Sequence, residues 1–226
     1  MLSKKLYMVS LGSGDYELVT IKALKALKES DAIFVPTKSE GSFKRSLTYK
    51  IVSKLFEEFG FEKRLIPLYS PMKFKVEDWQ RQSKEIVKAF ESYEKVSFVT
   101  LGDAGIYSSV YYLLDFIKEL DSAIFENATV IPGVTSFSDA SARIKKPLCV
   151  GDSSLEIIPL LEKEVPKTRV YMRPKIGMST EKIENLGEIY TFENLNFQNE
   201  KITPAKIEKV EKYMTLFVDF YDKKRD

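Results

Sequence analysis

Short apolar runs that stop at glycine or proline alternate with stretches of helical periodicity through the first half of this chain, and that alternation admits few folds. Residues 6–11 (LYMVSL) end at Gly12, as a buried parallel strand would. Leu18, Ile21, Leu24 and Leu27 then recur every three residues with Lys22, Lys25 and Lys28 between them, which predicts a helix with one apolar stripe. Residues 32–35 (AIFV) before Pro36 predict the next strand. The pattern repeats. Phe43, Leu47, Ile51 and Leu55 mark a helix, residues 65–68 (LIPL) a strand, and Val76, Trp79, Ile86 and Phe90 a helix. Residues 96–101 (VSFVTL) form a strand, followed by a helix lined by Val110, Leu113, Leu114, Ile117 and Leu120. Strands joined by helical crossovers pair in parallel, so an α/β domain with a mostly parallel sheet is expected over residues 1–121.

Past Asp121 the helices become shorter. Residues 128–131 (ATVI) before Pro132-Gly133 predict a strand, then a short helix through Ser141, with further strands at 155–158, 169–172, 188–192 and 213–220. This predicts a second α/β domain with a mixed sheet over residues 122–226, the boundary falling near 120–126.

Composition narrows the chemistry. There is no histidine among the 226 residues, which excludes Ser-His-Asp and Cys-His triads, His-ligated metal sites and an imidazole base. Cys149 is the single cysteine, so no intramolecular disulfide or thiolate cluster can form, and a cytoplasmic setting is expected. Lys plus Arg number 35 against 33 Asp plus Glu, so the net charge of +2 lacks the footprint of a nucleic-acid binder. No run approaches the ~18 apolar residues of a membrane span, and no membrane partner is expected.

Three glycine turns each follow a predicted strand, where backbone N–H groups and helix N-termini of α/β proteins meet ligands. Gly12-Ser13-Gly14-Asp15 is not a dinucleotide fingerprint, since Glu17 stands where the third glycine belongs, and no P-loop Gly-Lys-Ser/Thr follows. Asp15 reads equally as a helix cap. Leu101-Gly102-Asp103-Ala104-Gly105-Ile106-Tyr107 permits a plain turn or a ligand loop, with Asp103 available to a cation or an amine. In Pro132-Gly133-Val134-Thr135-Ser136, Thr135 or Ser136 suits a helix cap.

Together these turns resemble the tetrapyrrole (corrin/porphyrin) methylases, which use S-adenosylmethionine. The family's Gly-x-Gly-Pro-Gly-Asp-Pro turn, its Gly-Asp-Pro-x-x-Tyr motif and its Pro-Gly-x-Ser/Thr-Ser/Ala motif correspond to residues 10–16, 102–107 and 132–136. The runs FVTLGDAGIYSSVYYLLDFI and IPGVTSFSDASARIKKPLCVGDSSLEIIP, with Pro71-Met72, are most similar to the branch that methylates carbon 20 of precorrin-2. Ser10, Ser13, Tyr16 and Ala104 depart from the family's Gly, Pro, Pro and Pro, which should leave the turns less preorganised.

The resemblance implies two α/β domains with the active-site cleft between them, a small-molecule tetrapyrrole substrate and a homodimer. It places Ser13, Leu101, Gly102, Asp103, Ile106, Thr135, Ser136, Met172 and Leu195 around the cofactor, with Asp103 at its amino group. It implies methyl transfer to carbon 20 of precorrin-2 or its cobalt-loaded counterpart, cobalt-factor II. The alternatives are a tetrapyrrole methylase with another acceptor, or a binding protein that retains the pocket without turnover. A nicotinamide oxidoreductase is disfavoured by Glu17. Displacement at a sulfonium needs no imidazole, and Tyr107 and Asp15 are the candidates to take the proton that the methylated carbon must lose. Lys38, Lys44, Arg45, Lys73 and Lys75, on the loops after the second and third strands, would match the substrate's carboxylates. No metal site is expected on the chain.

Overall fold

Leu6 and Met8 enter one hydrophobic core while Tyr7, Val9 and Leu11 enter another, so the first strand is buried on both faces. In this computed structural model that strand is β1 (Lys5–Ser10), and the structure describes residues 4–71, 75–151, 153–157, 167–172, 174–185 and 187–220. It is followed by a 3₁₀ turn (Tyr16–Leu18), α1 (Ile21–Glu29), β2 (Ala32–Thr37), α2 (Leu47–Phe59) and β3 (Arg64–Tyr69). Next come α3 (Val76–Ala89), β4 (Lys95–Thr100), α4 (Val110–Leu120), α5 (Ser122–Glu126), β5 (Thr129–Ile131) and α6 (Ser136–Ile144). The five strands form one parallel sheet in the order β3-β2-β4-β1-β5.

Helices cover both faces. Ala23 and Leu27 of α1 and Ile51, Val52 and Leu55 of α2 pack against Val9, Ile33, Val35 and Val99. On the other face Ile86 of α3, Leu113 and Ile117 of α4 and Ile124 of α5 pack against Met8, Phe34, Val96 and Phe98. Caps set the helix limits. Thr20 and Ser46 accept from the backbone N–H of Ala23 and Tyr49, and Gly60 ends α2 in the left-handed region at φ 60°.

The chain leaving β1 crosses one face towards β2, whereas the chain leaving β4 crosses the other towards β5. Adjacent strands β1 and β4 therefore form a topological switch point, where open α/β sheets bind ligands.

Two compact units divide after Leu155 rather than at 121/122. The reason is β5. It pairs with β1 through Tyr7↔Thr129 and Val9↔Ile131, which draws it and its flanks into the first unit. The second unit holds β6 (Arg169–Tyr171), β7 (Glu188–Glu193), β8 (Lys201–Thr203) and β9 (Thr215–Phe220). Their order is β6-β9-β7-β8 and every pairing is antiparallel, so the sheet expected to be mixed is antiparallel among the described residues. Ile183, Ile189, Val210 and Phe217 form its core. The strand expected at 155–158 is not formed over 155–157, and residue 158 lies outside the described residues.

Candidate functional site

Gly12 and Gly102 close the switch point. Gly12 N–H donates to the Gly102 carbonyl at 3.1 Å, and Gly102 N–H donates back to Gly12 at 2.7 Å. Both lie in the left-handed region, at φ 75° and 76°, a backbone that glycine adopts without steric cost. A Cβ on Gly102 would meet nothing within 4 Å, so the backbone of this turn is open to an approaching group.

The third turn locks onto the other two. One Asp103 carboxylate oxygen accepts from Gly105 N–H at 2.7 Å, and the other accepts from Gly133 N–H at 2.6 Å. Gly133 is held so closely that a Cβ would lie 2.7 Å from Ser10 Cβ and 2.8 Å from the Gly102 carbonyl. Ser10 Oγ accepts from the buried Ala104 N–H at 2.9 Å. Two of the sequence departures thus complement each other. A proline at 104 would have no N–H, whereas the buried N–H of Ala104 requires an acceptor and Ser10 provides one.

Around this core the expected residues sort themselves. Leu101, Ile106 and Tyr107 are exposed on the β4 turn, an apolar group that a bound ligand could cover. Tyr107 is the most open of them at 70% exposure and sits at φ 49°. Asp15 has a structural duty, accepting from Glu17 N–H at 3.0 Å to cap the 3₁₀ turn. Thr135 likewise caps α6, accepting from Ser138 N–H at 3.3 Å, and Ser136 opens that helix. Ser13 Oγ donates to Asp139 of α6 at 2.8 Å. Asp103, read from sequence as a partner for the cofactor's amino group, has one oxygen bonded within its own turn and the other joining that turn to the third, although each retains a further lone pair. Met172 follows β6 and Leu195 follows β7, both in the second unit.

Three residues that sequence did not single out belong here. Burial first, and then the negative charge of Asp103, raises the phenol pKa of Tyr111, the second residue of α4. Asp139 is held below the usual carboxylate range by the Ser13 hydrogen bond and then by Arg143. Arg143 Nε donates to Asp139 at 2.9 Å, and Asp15 adds to the charge that holds its proton. The i,i+4 spacing of Asp139 and Arg143 was legible; the tie to Ser13 was not.

On the β3-β2 side of the same carboxyl edge lies a basic loop. Lys38, Lys44 and Arg45 are exposed on it, and Lys75 is exposed at the cap of α3, while Lys73 lies outside the described residues. Buried Thr37 donates to the Ser42 carbonyl at 2.8 Å and Ser46 to that of Pro36 at 2.8 Å, so the loop is braced from beneath.

The tetrapyrrole (corrin/porphyrin) methylase family model matches residues 5–210. The chain belongs to this family. Its similar relatives include a probable cobalt-precorrin-2 C(20)-methyltransferase of Methanocaldococcus jannaschii, 30% identical over 217 residues, covering 92% of this chain and 90% of that protein. The cobalt-precorrin-2 C(20)-methyltransferase of Salmonella typhimurium is 31% identical over 158 residues, covering 70% of this chain and 64% of the relative. The fold of this methylase is also that of a cobalamin synthesis related protein (CobF) from Corynebacterium diphtheriae. That structure has a TM-score of 0.53 and 13% identity, covering 95% of this chain and 97% of the other.

Proposed function

We propose that this tetrapyrrole methylase transfers a methyl group from S-adenosylmethionine to carbon 20 of precorrin-2 or cobalt-factor II in cobalamin biosynthesis. The observation that carries the reading is the junction of three turns at the switch point, tied by the Gly12–Gly102 pair and the Asp103–Gly133 bond. Its acceptor specificity is supported by the names of the relatives that match along most of the chain.

S-adenosylmethionine supplies an activated methyl group, and the chain's part is to hold the reacting atoms in line and exclude water. Leu101, Ile106 and Tyr107 provide apolar cover, while Gly102 offers close backbone approach. Thr135 and Ser136 bring hydroxyls from the start of α6. Asp103 fixes the turns and can accept from an ammonium on a remaining lone pair. A carboxylate placed at the sulfur itself would stabilise charge that is lost during transfer and slow the reaction, so this location suits catalysis. Tyr107 and Asp15 are our candidates for the proton leaving carbon 20, Tyr107 being the more accessible. Met172 and Leu195 are proposed as adenosine contacts by resemblance. The basic loop residues Lys38, Lys44, Arg45 and Lys75 would steer a polycarboxylate acceptor. A homodimer and a cytoplasmic location belong to this proposal through the family resemblance and the lone Cys149.

The test is incubation with methyl-labelled S-adenosylmethionine and a panel of precorrin-2, cobalt-factor II and uroporphyrinogen III. Label in either of the first two supports the reading. Label in uroporphyrinogen III alone overturns the acceptor, and cofactor binding without transfer to any acceptor indicates a binding protein.

A further inference from the structure

The first turn has an unsupported tip. Ser13 lies between Gly12 at φ 75° and Gly14 at φ 131°, and a Cβ at Gly14 would meet nothing within 4 Å. Glycine on both sides gives the tip more backbone freedom than other residues would allow. The Gly12–Gly102 pair fixes the base of the turn but does not reach Ser13.

What reaches it is α6. Ser13 Oγ donates to one oxygen of Asp139 at 2.8 Å, while Arg143 Nε donates to the other at 2.9 Å and its Nη2 reaches the first at 3.5 Å, so the carboxylate is held from both sides. Asp139 stands one turn beyond the cap Thr135. The helix itself has no buried residue, so packing restrains it lightly and polar ties matter more. Arg143, in the last turn, also interacts favourably with the carbonyl end of the helix.

We propose that Ser13, Asp139 and Arg143 form a positioning latch that holds the first glycine turn against the helix carrying Thr135 and Ser136, so that Ser13 serves the cofactor site through α6. The proposal rests on the reading of these turns as the S-adenosylmethionine site. Ser13 is thus a positioning residue: its hydroxyl proton is directed at Asp139 rather than towards a ligand. Releasing the latch frees both the turn tip and the start of α6. Because Arg143 is 68% exposed at its side chain, the loss registers in ligand affinity more than in global stability.

The experiment titrates S-adenosylhomocysteine into the full chain and its Ser13→Ala, Asp139→Ala, double and Ser13→Thr variants by calorimetry. Amide hydrogen exchange is followed at residues 12–15. Each alanine variant should weaken binding about tenfold, the scale of one hydrogen bond to a charged acceptor. The double variant should bind no more weakly than the worse single variant, and Ser13→Thr should restore affinity. Melting temperatures should stay within about 2 °C of the parent. Exchange at 12–15 should accelerate in Ser13→Ala. Unchanged affinity, additive losses or unchanged exchange would each overturn the latch. If the parent chain binds no S-adenosylhomocysteine, the cofactor reading falls instead, and the exchange measurement alone decides the latch.

Discussion

Asp103 joins two turns with one carboxylate, accepting from Gly105 at 2.7 Å and from Gly133 at 2.6 Å. Hydrogen bonds to a charged acceptor contribute about 1.5–3 kcal/mol each. Asp103→Asn keeps one acceptor oxygen but turns an amide NH₂ towards a backbone donor. It should lower stability by about 1–3 kcal/mol in urea unfolding and weaken S-adenosylhomocysteine binding. Gly133→Ala should be at least as damaging, because its Cβ would meet Ser10 Cβ at 2.7 Å and the Gly102 carbonyl at 2.8 Å. The same unfolding assay should show a loss of about 1–3 kcal/mol from overpacking. Ser10→Ala leaves the buried Ala104 N–H without its acceptor, at a cost of about 1–3 kcal/mol, whereas Ser10→Ala in an Ala104→Pro background should cost much less. A double-mutant cycle measures that coupling. Sequence made these residues visible as motif members but not as partners: Asp103 meets Gly133 across 30 positions and Ser10 meets Ala104 across 94. Asp15 and Thr135 were legible as caps, because capping is local.

The elements of the parallel sheet follow from periodicity, since a strand buried on both faces is a short continuous apolar run and each helix shows its own stripe. β5 was read as a strand of the second domain, and it groups with the first unit through its pairing with β1. Its three residues carry no local sign that they will pair with β1. α5 and β8 were missed because each is shorter than the window over which a period can be recognised. α6 shows the opposite case: its limits are legible, while its tie to the first turn depends on packing. That tie has a pH signature. The folded-state pKa of Asp139 is depressed, so its contribution is fully present above the ordinary Asp value of about 3.9 and is lost as pH falls through the lower folded value. S-adenosylhomocysteine affinity should therefore show no pH dependence from this group between about pH 5 and pH 8, where its contribution is complete, and should weaken below about pH 4. Titration across that range, with circular dichroism confirming a folded chain, checks it. In Ser13→Ala the acid limb should move towards the ordinary Asp value.

At the scale of the whole molecule, the absence of histidine and the topology of the sheet point the same way. A chain without imidazole suits a reaction whose activated group is brought by a small molecule, and the parallel sheet offers a switch point at which to hold it. The three glycine turns lie on adjacent strands β4, β1 and β5, and the basic loops lie on the β2 and β3 side of the same carboxyl edge. Cofactor grip and acceptor steering therefore occupy neighbouring halves of one sheet edge in our reading. Family and sheet type were legible because the motifs stand along the chain in the order of the family they resemble and each follows a strand; the interlocking of the turns was not, because it arises only when β4, β1 and β5 align. The most direct test of the central claim is the position of the transferred carbon. Precorrin-2 and cobalt-factor II are each incubated with the protein and ¹³C-methyl S-adenosylmethionine, and the product is examined by NMR. The account predicts a single labelled methyl group on carbon 20 of at least one of them; label at another ring carbon, or unlabelled macrocycle in both, would contradict it.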